Sequence, residues 1–167
     1  RKPNNVRIPI LAPSIFALDQ LTKVTVINLL PTPYESEVHV LPGFLRLVHW
    51  HNTGAAWSMF HDNNVALAII SAIALVVLVL MREKFGANTF LGSISLGLIF
   101  GGIVGNLLDR VVHHHVIDFL YFHLITRSGV LYDFPAFNVA DSAICIGVGL
   151  LFILSWRSEK QSKELSA

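Results

Sequence analysis

Several carboxylates in this chain lie in surroundings that are otherwise apolar. Asp118 falls in Val116-Ile117-Asp118-Phe119, and Asp141 closes the run Phe137-Asn138-Val139-Ala140-Asp141. Two carboxyl groups brought close in a low-dielectric setting cannot both ionise, so they share one proton. Such a pair can activate a water with one member while the other polarises a carbonyl or protonates a leaving amine. A competing account exists for Asp141. Asn138 is a good helix N-cap, which makes Asp141 the third helical residue and a participant in the cap. Asp19 and Lys23 are four apart, so on a helix they share a face and neutralise each other. They read either as a structural ion pair or as neighbours of an active site, since ionisable groups within a membrane so often mark function. Asn106, Asp109 and Arg110 are spaced three and four apart and fall on one helical face. Asp109 and Arg110 alone suggest an interfacial ion pair; Asn106 beside them suggests an organised polar network.

Other chemistries have less to stand on. His113-His114-His115 resembles a metal tract, but adjacent positions on a helix or strand cannot all face one ion. His49 and His51 have strand-like spacing, and a polar sheet surface explains them equally well. No metal site and no cofactor are therefore expected. Ser14, Ser58 and Ser71 have no adjacent base, so serine catalysis has no support. Cys145, the single cysteine, rules out an intrachain disulfide and lies between Ile144 and Ile146 with no histidine nearby, where a buried structural thiol is the expectation.

The elements that must position these residues are membrane helices. The chain has 167 residues, 53% of them hydrophobic and 14% charged, with a mean hydropathy of +0.60. A water-soluble domain carries about 25% charged residues, so lipid is expected to replace water around much of the surface. The length suits one domain, 1–167. A net charge of +1 gives nucleic-acid binding no electrostatic support. Crossing a bilayer by helix takes about 20 residues, and four segments fit, at about 8–30, 65–81, 90–108 and 138–156. The first has no small-residue cleavage site and runs into charged residues, so it is expected to be retained. Gly97, Gly101 and Gly105 recur every four residues in the third, a stripe that lets another helix approach closely. The connection 31–64 has apolar residues at near-alternate positions (Val38, Val40, Leu45, Leu47), which predicts short strands. The connection 110–137 is also long, while 82–89 is a tight polar turn. Eight of the twelve basic residues (Arg1, Lys2, Arg7, Arg82, Lys84, Arg157, Lys160, Lys163) fall on one side of this topology. Basic residues accumulate in cytoplasmic loops, so both termini are expected in the cytoplasm and the two long connections outside.

Five blocks, in this order, resemble the lipoprotein signal peptidase (signal peptidase II) family. They are Asp19-Gln-Leu-Thr-Lys23, Asn52-Thr-Gly54-Ala-Ala-Trp57, Gly101-Gly-Ile-Val-Gly-Asn106-Leu-Leu-Asp109-Arg110, Val116-Ile-Asp118-Phe119 and Phe137-Asn138-Val-Ala-Asp141. Each is weakly diagnostic alone; five in order on a matching topology are specific. The resemblance implies an all-α membrane protein of four transmembrane helices, with a small β-rich extracytoplasmic cradle between spans one and two. It implies an aspartyl endopeptidase of the bacterial inner membrane. Its substrate would be a lipid-modified prolipoprotein in the bilayer, cleaved on the amino side of the diacylglyceryl-cysteine. By position, Asp118 and Asp141 match the catalytic aspartates. Asp19, Lys23, Asn52, Gly54, Asn106, Asp109, Arg110 and Asn138 match supporting or substrate-binding residues. A monomer is also implied. Trp57 stands where the family usually has Phe, and the stretch around Thr126-Arg-Ser-Gly129 is a few residues longer than expected. The alternative is a non-enzyme, either a proton-coupled carrier or an adaptor that assembles through the glycine stripe. A carrier needs polar groups throughout the membrane depth and usually two similar halves, and neither is visible; an adaptor leaves Asn106, Asp109, Asp118 and Asp141 unexplained.

Overall fold

The computed structural model describes residues 6–54, 63–125 and 128–165. In chain order the elements are α1 (Arg7–Leu29), β1 (Glu37–Leu41), β2 (Leu45–Asn52), α2 (Asn64–Leu80), α3 (Phe90–Val112), β3 (Val116–Ile125), β4 (Leu131–Asp133) and α4 (Val139–Leu165). Among the described residues three helical segments are long and apolar enough to cross a membrane: Arg7–Leu29, Phe90–Val112 and Val139–Arg157. The helix α2 is apolar apart from Asn64 and Ser71 but only 17 residues long.

Burial along α1 is inverted relative to a helix in water. Its buried residues are Asp19, Lys23 and Val26, while Leu21 and Leu29 are each 66% exposed. Charge inside and leucine outside is the arrangement a hydrocarbon surround favours. The hydroxyls of Ser14, Thr22 and Thr25 donate to carbonyl oxygens four residues back, so these three need no partner from the surroundings.

At the centre stands α3, with α1, α2 and α4 packed around it. Its small residues allow this. A Cβ on Gly97 would meet Leu11, and one on Gly101 would lie 2.6 Å from the Ala12 carbonyl oxygen. A Cβ on Gly105 would collide with the Asp19 carboxylate. The stripe Gly97, Gly101, Gly105 is thus the seat of α1, and Gly102 plays the same part for α4, against Ala140 and Ile144. Cys145 is exposed on the outer side of α4, which corrects the expectation of a buried thiol. The helix turns Ala143 and Gly147 inward, and the residue midway between them faces away.

The strands form one antiparallel sheet in the order β1-β2-β3-β4. Only β1 and β2 come from the connection between the first two helices; β3 and β4 come from the connection between α3 and α4. The cradle therefore does not lie wholly between spans one and two. The reason is visible in β3, Val-Ile-Asp-Phe-Leu-Tyr-Phe-His-Leu-Ile, a nearly continuous apolar run whose period identifies neither helix nor strand. The pairing brings Trp50 opposite Asp118 and Asn52 opposite Val116. Phe137 then docks on β3: its carbonyl accepts from the Phe119 and Leu120 N–H groups, and its own N–H donates to Leu120 O. A cluster of Val26, Leu30 and Phe119, with Leu47, Leu120 and Val139 packed on it, fixes the sheet to the ends of α1 and α4.

Candidate active site

Docking of Phe137 on β3 delivers Asn138 and the start of α4 beside Asp118. Asn138 Oδ1 accepts the Asp141 N–H at 2.9 Å, and the Asp141 Oδ2 accepts the Asn138 N–H at 3.3 Å. This reciprocal pair is a capping box with Asp at the third helical position. Asn138 is also bonded to the other aspartate, because its Nδ2 donates to Asp118 Oδ1 at 2.8 Å. One fully buried asparagine therefore touches both carboxylates, so the cap account and the dyad account of Asp141 are compatible.

Each aspartate has a further amide donor. Asn52 Nδ2 donates to Asp118 Oδ2 at 2.8 Å, and Asn106 Nδ2 donates to Asp141 Oδ1 at 2.7 Å. Asn106 Oδ1 accepts from Lys23 Nζ at 2.9 Å and from Asn138 Nδ2 at 3.2 Å. Lys23 completes its three donors with Asp19 Oδ2 at 2.8 Å and Asp109 Oδ2 at 2.7 Å. All three side chains are at most 1% exposed, so the cation is wholly desolvated and is matched by two anions. Burial, and then the charge of Asp141, push the Asp118 carboxyl up to about 7, against the lowering effect of the Asn52 and Asn138 bonds and Lys23.

Arg110 sits at the margin of this network. Its guanidinium donates to Asn106 O at 3.4 Å and to Gly54 O at 3.3 Å, and Gly54 N–H donates to Asn52 Oδ1 at 2.9 Å. Asp109 is ion-paired with Lys23, so the Asp109–Arg110 pair is not the arrangement found. Asn64 Nδ2 holds the Arg110 carbonyl at 2.9 Å. All ten candidate residues thus join one connected set. Trp57, Thr126 and Arg127 lie outside the described residues. Gln20, which sequence reasoning passed over, belongs to the set: its Nε2 donates to Asp19 Oδ2, Asp109 Oδ1 and Gly105 O at 3.0–3.3 Å. Its signals were its place directly after Asp19 and inside the Asp19-Gln-Leu-Thr-Lys23 block, but neighbouring helix positions do not ordinarily face the same way.

The histidines gather outside this set. His115 stacks on His51 with ring centroids 3.7 Å apart, and His49 Nδ1 bonds the Leu30 carbonyl at 2.8 Å. Burial, then His51 and His113, drive the His115 imidazole down to about 4. Among the described residues no three of His, Cys, Asp and Glu are placed to hold a metal ion.

Apolar helices around a buried cluster of carboxylates, capped by a small sheet, mark a membrane protein with an internal acidic site. The signal peptidase II family model matches residues 11–157. A lipoprotein signal peptidase of Listeria monocytogenes serotype 4a is 35% identical over 150 residues, covering 90% of this chain and 93% of that protein. One from Syntrophotalea carbinolica is 36% identical over 151 residues, covering 89% of each. A solved structure described as a bacterial membrane enzyme, determined by the in meso method, has a TM-score of 0.79 and 32% identity, and the match covers 92% of this chain and 90% of that one. The chain belongs to the signal peptidase II family and is accordingly a peptidase of a bacterial membrane.

Proposed function

We propose that this protein removes the signal peptide from diacylglyceryl-modified prolipoproteins by aspartyl catalysis, with Asp118 and Asp141 as the dyad. The observation that carries the reading is Asn138, which bonds Asp118 through its side chain and Asp141 through its backbone. Between them the two aspartates hold one proton and bind one water. Position at a helix N-terminus favours the Asp141 anion, and the raised Asp118 carboxyl favours the proton there, although a coupled pair titrates as a unit. Ionised Asp141 takes a proton from the water, whose oxygen attacks the carbonyl before the lipidated cysteine. Protonated Asp118 polarises the carbonyl oxygen. Collapse of the tetrahedral intermediate breaks the C–N bond, and a dyad proton passes to the leaving amine. No acyl-enzyme forms.

Asp19, Lys23, Asn106, Asp109 and Asn138 hold the dyad, while Asn52, Gly54 and Arg110 line its approach. In this reading α2 spans the bilayer as a fourth helix, making residues 1–167 one integral-membrane domain. The termini lie in the cytoplasm and the dyad toward the outer face. The substrate's acyl chains remain in lipid against the bundle, the cradle holds its polypeptide, and the enzyme works as a monomer. The test is a gel-shift assay on purified enzyme with lipid-modified and unmodified forms of one prolipoprotein. Shortening of the modified form alone, absent with Asp118→Asn, is the expected result; equal cleavage of the unmodified form would overturn the substrate assignment.

A further inference from the structure

Two buried carboxylates outside the dyad each hold a backbone N–H immediately preceding a dyad aspartate. Asp19 Oδ1 accepts from Ala140 N at 2.9 Å, one residue before Asp141. Asp109 Oδ2 accepts from Ile117 N at 3.3 Å, one residue before Asp118. The first contact captures an N–H in the opening turn of α4, a group that has no partner within its own helix. The second captures a strand N–H one residue from Asp118, at which the β2–β3 pairing resumes after its register shift. Asp19 belongs to α1 and Asp109 to α3, so the spacing of the two aspartates depends on what joins these helices at this level.

Two side chains do so. Lys23 Nζ bonds Asp19 Oδ2 and Asp109 Oδ2, and its third proton goes to Asn106 Oδ1. Gln20 Nε2 bonds Asp19 Oδ2 at 3.2 Å and Asp109 Oδ1 at 3.0 Å, and also reaches Gly105 O at 3.3 Å. Lys23 approaches only one oxygen of Asp109, about which that carboxylate could swing. Gln20 holds the other oxygen and so fixes the plane that aims Oδ2 at Ile117.

We propose that Gln20 is a positioning residue for catalysis: by cross-linking Asp19 and Asp109 it fixes the separation of Asp118 and Asp141. The proposal rests on the dyad reading, whose own test is the loss of turnover on replacing either aspartate. A one-proton dyad is sensitive to spacing because its two titrations are split by the repulsion between the carboxylates.

Gln20→Met keeps the approximate volume and removes the donor. It changes no charge among the groups that face the dyad, namely Asp19 and Lys23 on α1 and Asp109 and Arg110 on α3. A change in the pH profile would therefore report geometry. The expected result is a fall in kcat on the order of ten- to a hundredfold, with KM within about twofold, and acid and alkaline limbs of the kcat profile that move closer together. Unchanged limbs, a rise in KM alone, or undiminished kcat would each overturn the assignment. Should Gln20→Met not fold, amide exchange in the wild-type protein decides. Ala140 and Ile117 should both be strongly protected, and exchange of either at the rate of a free amide would contradict the clamp. Gln20→Glu supplies a further check. The introduced carboxyl has one O–H in place of two N–H donors: protonated it holds only one of Asp19 and Asp109, and ionised it holds neither, so activity should be reduced on the acid side and fail earlier as pH rises; a wild-type alkaline limb would count against the proposal.

Discussion

Asp118 is a carboxyl kept partly neutral by its surroundings, and that has a consequence for stability as well as for chemistry. Its folded-state value is raised to about 7, first by burial and then by Asp141, well above the roughly 3.9 of an unfolded aspartate. A group raised in this way contributes its stability fully below the unfolded value and loses it as pH rises through the folded one. The protein should therefore melt at progressively lower temperature between about pH 4 and pH 8, by the equivalent of a few kcal/mol at most. Asp118→Asn should flatten that slope. Thermal melts in detergent at a series of pH values would show it, and an undiminished slope in the variant would assign the effect elsewhere. Asn138→Ala tests the residue that unites the site. Loss of the cap costs on the order of 1 kcal/mol, and loss of the Nδ2 donor to Asp118 should lower kcat far more than that small destabilisation explains. Turnover and melting temperature measured together separate the two effects. At this scale much was legible in the sequence, because a carboxylate among apolar residues is conspicuous whatever the fold. Gln20 was not, since an uncharged side chain one position from a charged one carries no cost that would mark it.

Helix packing at the level of the elements is governed by α3, whose glycines seat α1 and α4. Gly105 is the tightest case, since a Cβ there would collide with the Asp19 carboxylate. Gly105→Ala should destabilise by about 1–3 kcal/mol through overpacking and should also reduce cleavage, because the Asp19 it displaces holds the start of α4. Gly149→Ala is the control: nothing lies within 4 Å of its added Cβ, and both stability and activity should be retained. Equal losses at the two positions, read by melting and gel shift, would dissociate the stripe from the site. Contact of all three stripe glycines with α1 also leaves the adaptor alternative without its assembly surface. The stripe was plain in the sequence because its four-residue repeat has one geometric meaning on a helix. The strand β3 was hidden because alternation is the signature of a half-buried strand, and here both faces are largely covered: Val116, Ile117, Asp118 and Phe119 are buried in succession.

Over the whole sequence the basic residues are divided unequally, eight of the twelve flanking what the proposed topology makes the cytoplasmic ends of the helices. A tag at the C-terminus should be resistant to protease added outside intact spheroplasts and be cut after lysis, as the basic flanks of the first and last helices require; cleavage before lysis would invert the orientation. Family and general architecture were legible in the sequence, since four apolar segments and five ordered blocks constrain each other. The convergence of the site was less so. It is assembled from α1, β2, α3, β3 and α4, and contacts such as Asp19 with Ala140, 121 positions apart, leave no trace in local pattern. The central claim is that Asp118 and Asp141 act as one catalytic unit, and it is tested most directly by the turnover of a lipid-modified prolipoprotein by Asp118→Asn and Asp141→Asn, each purified and shown to be folded. Each variant alone should abolish cleavage, and the double variant should be no worse than either. Wild-type turnover by either single variant would contradict the claim.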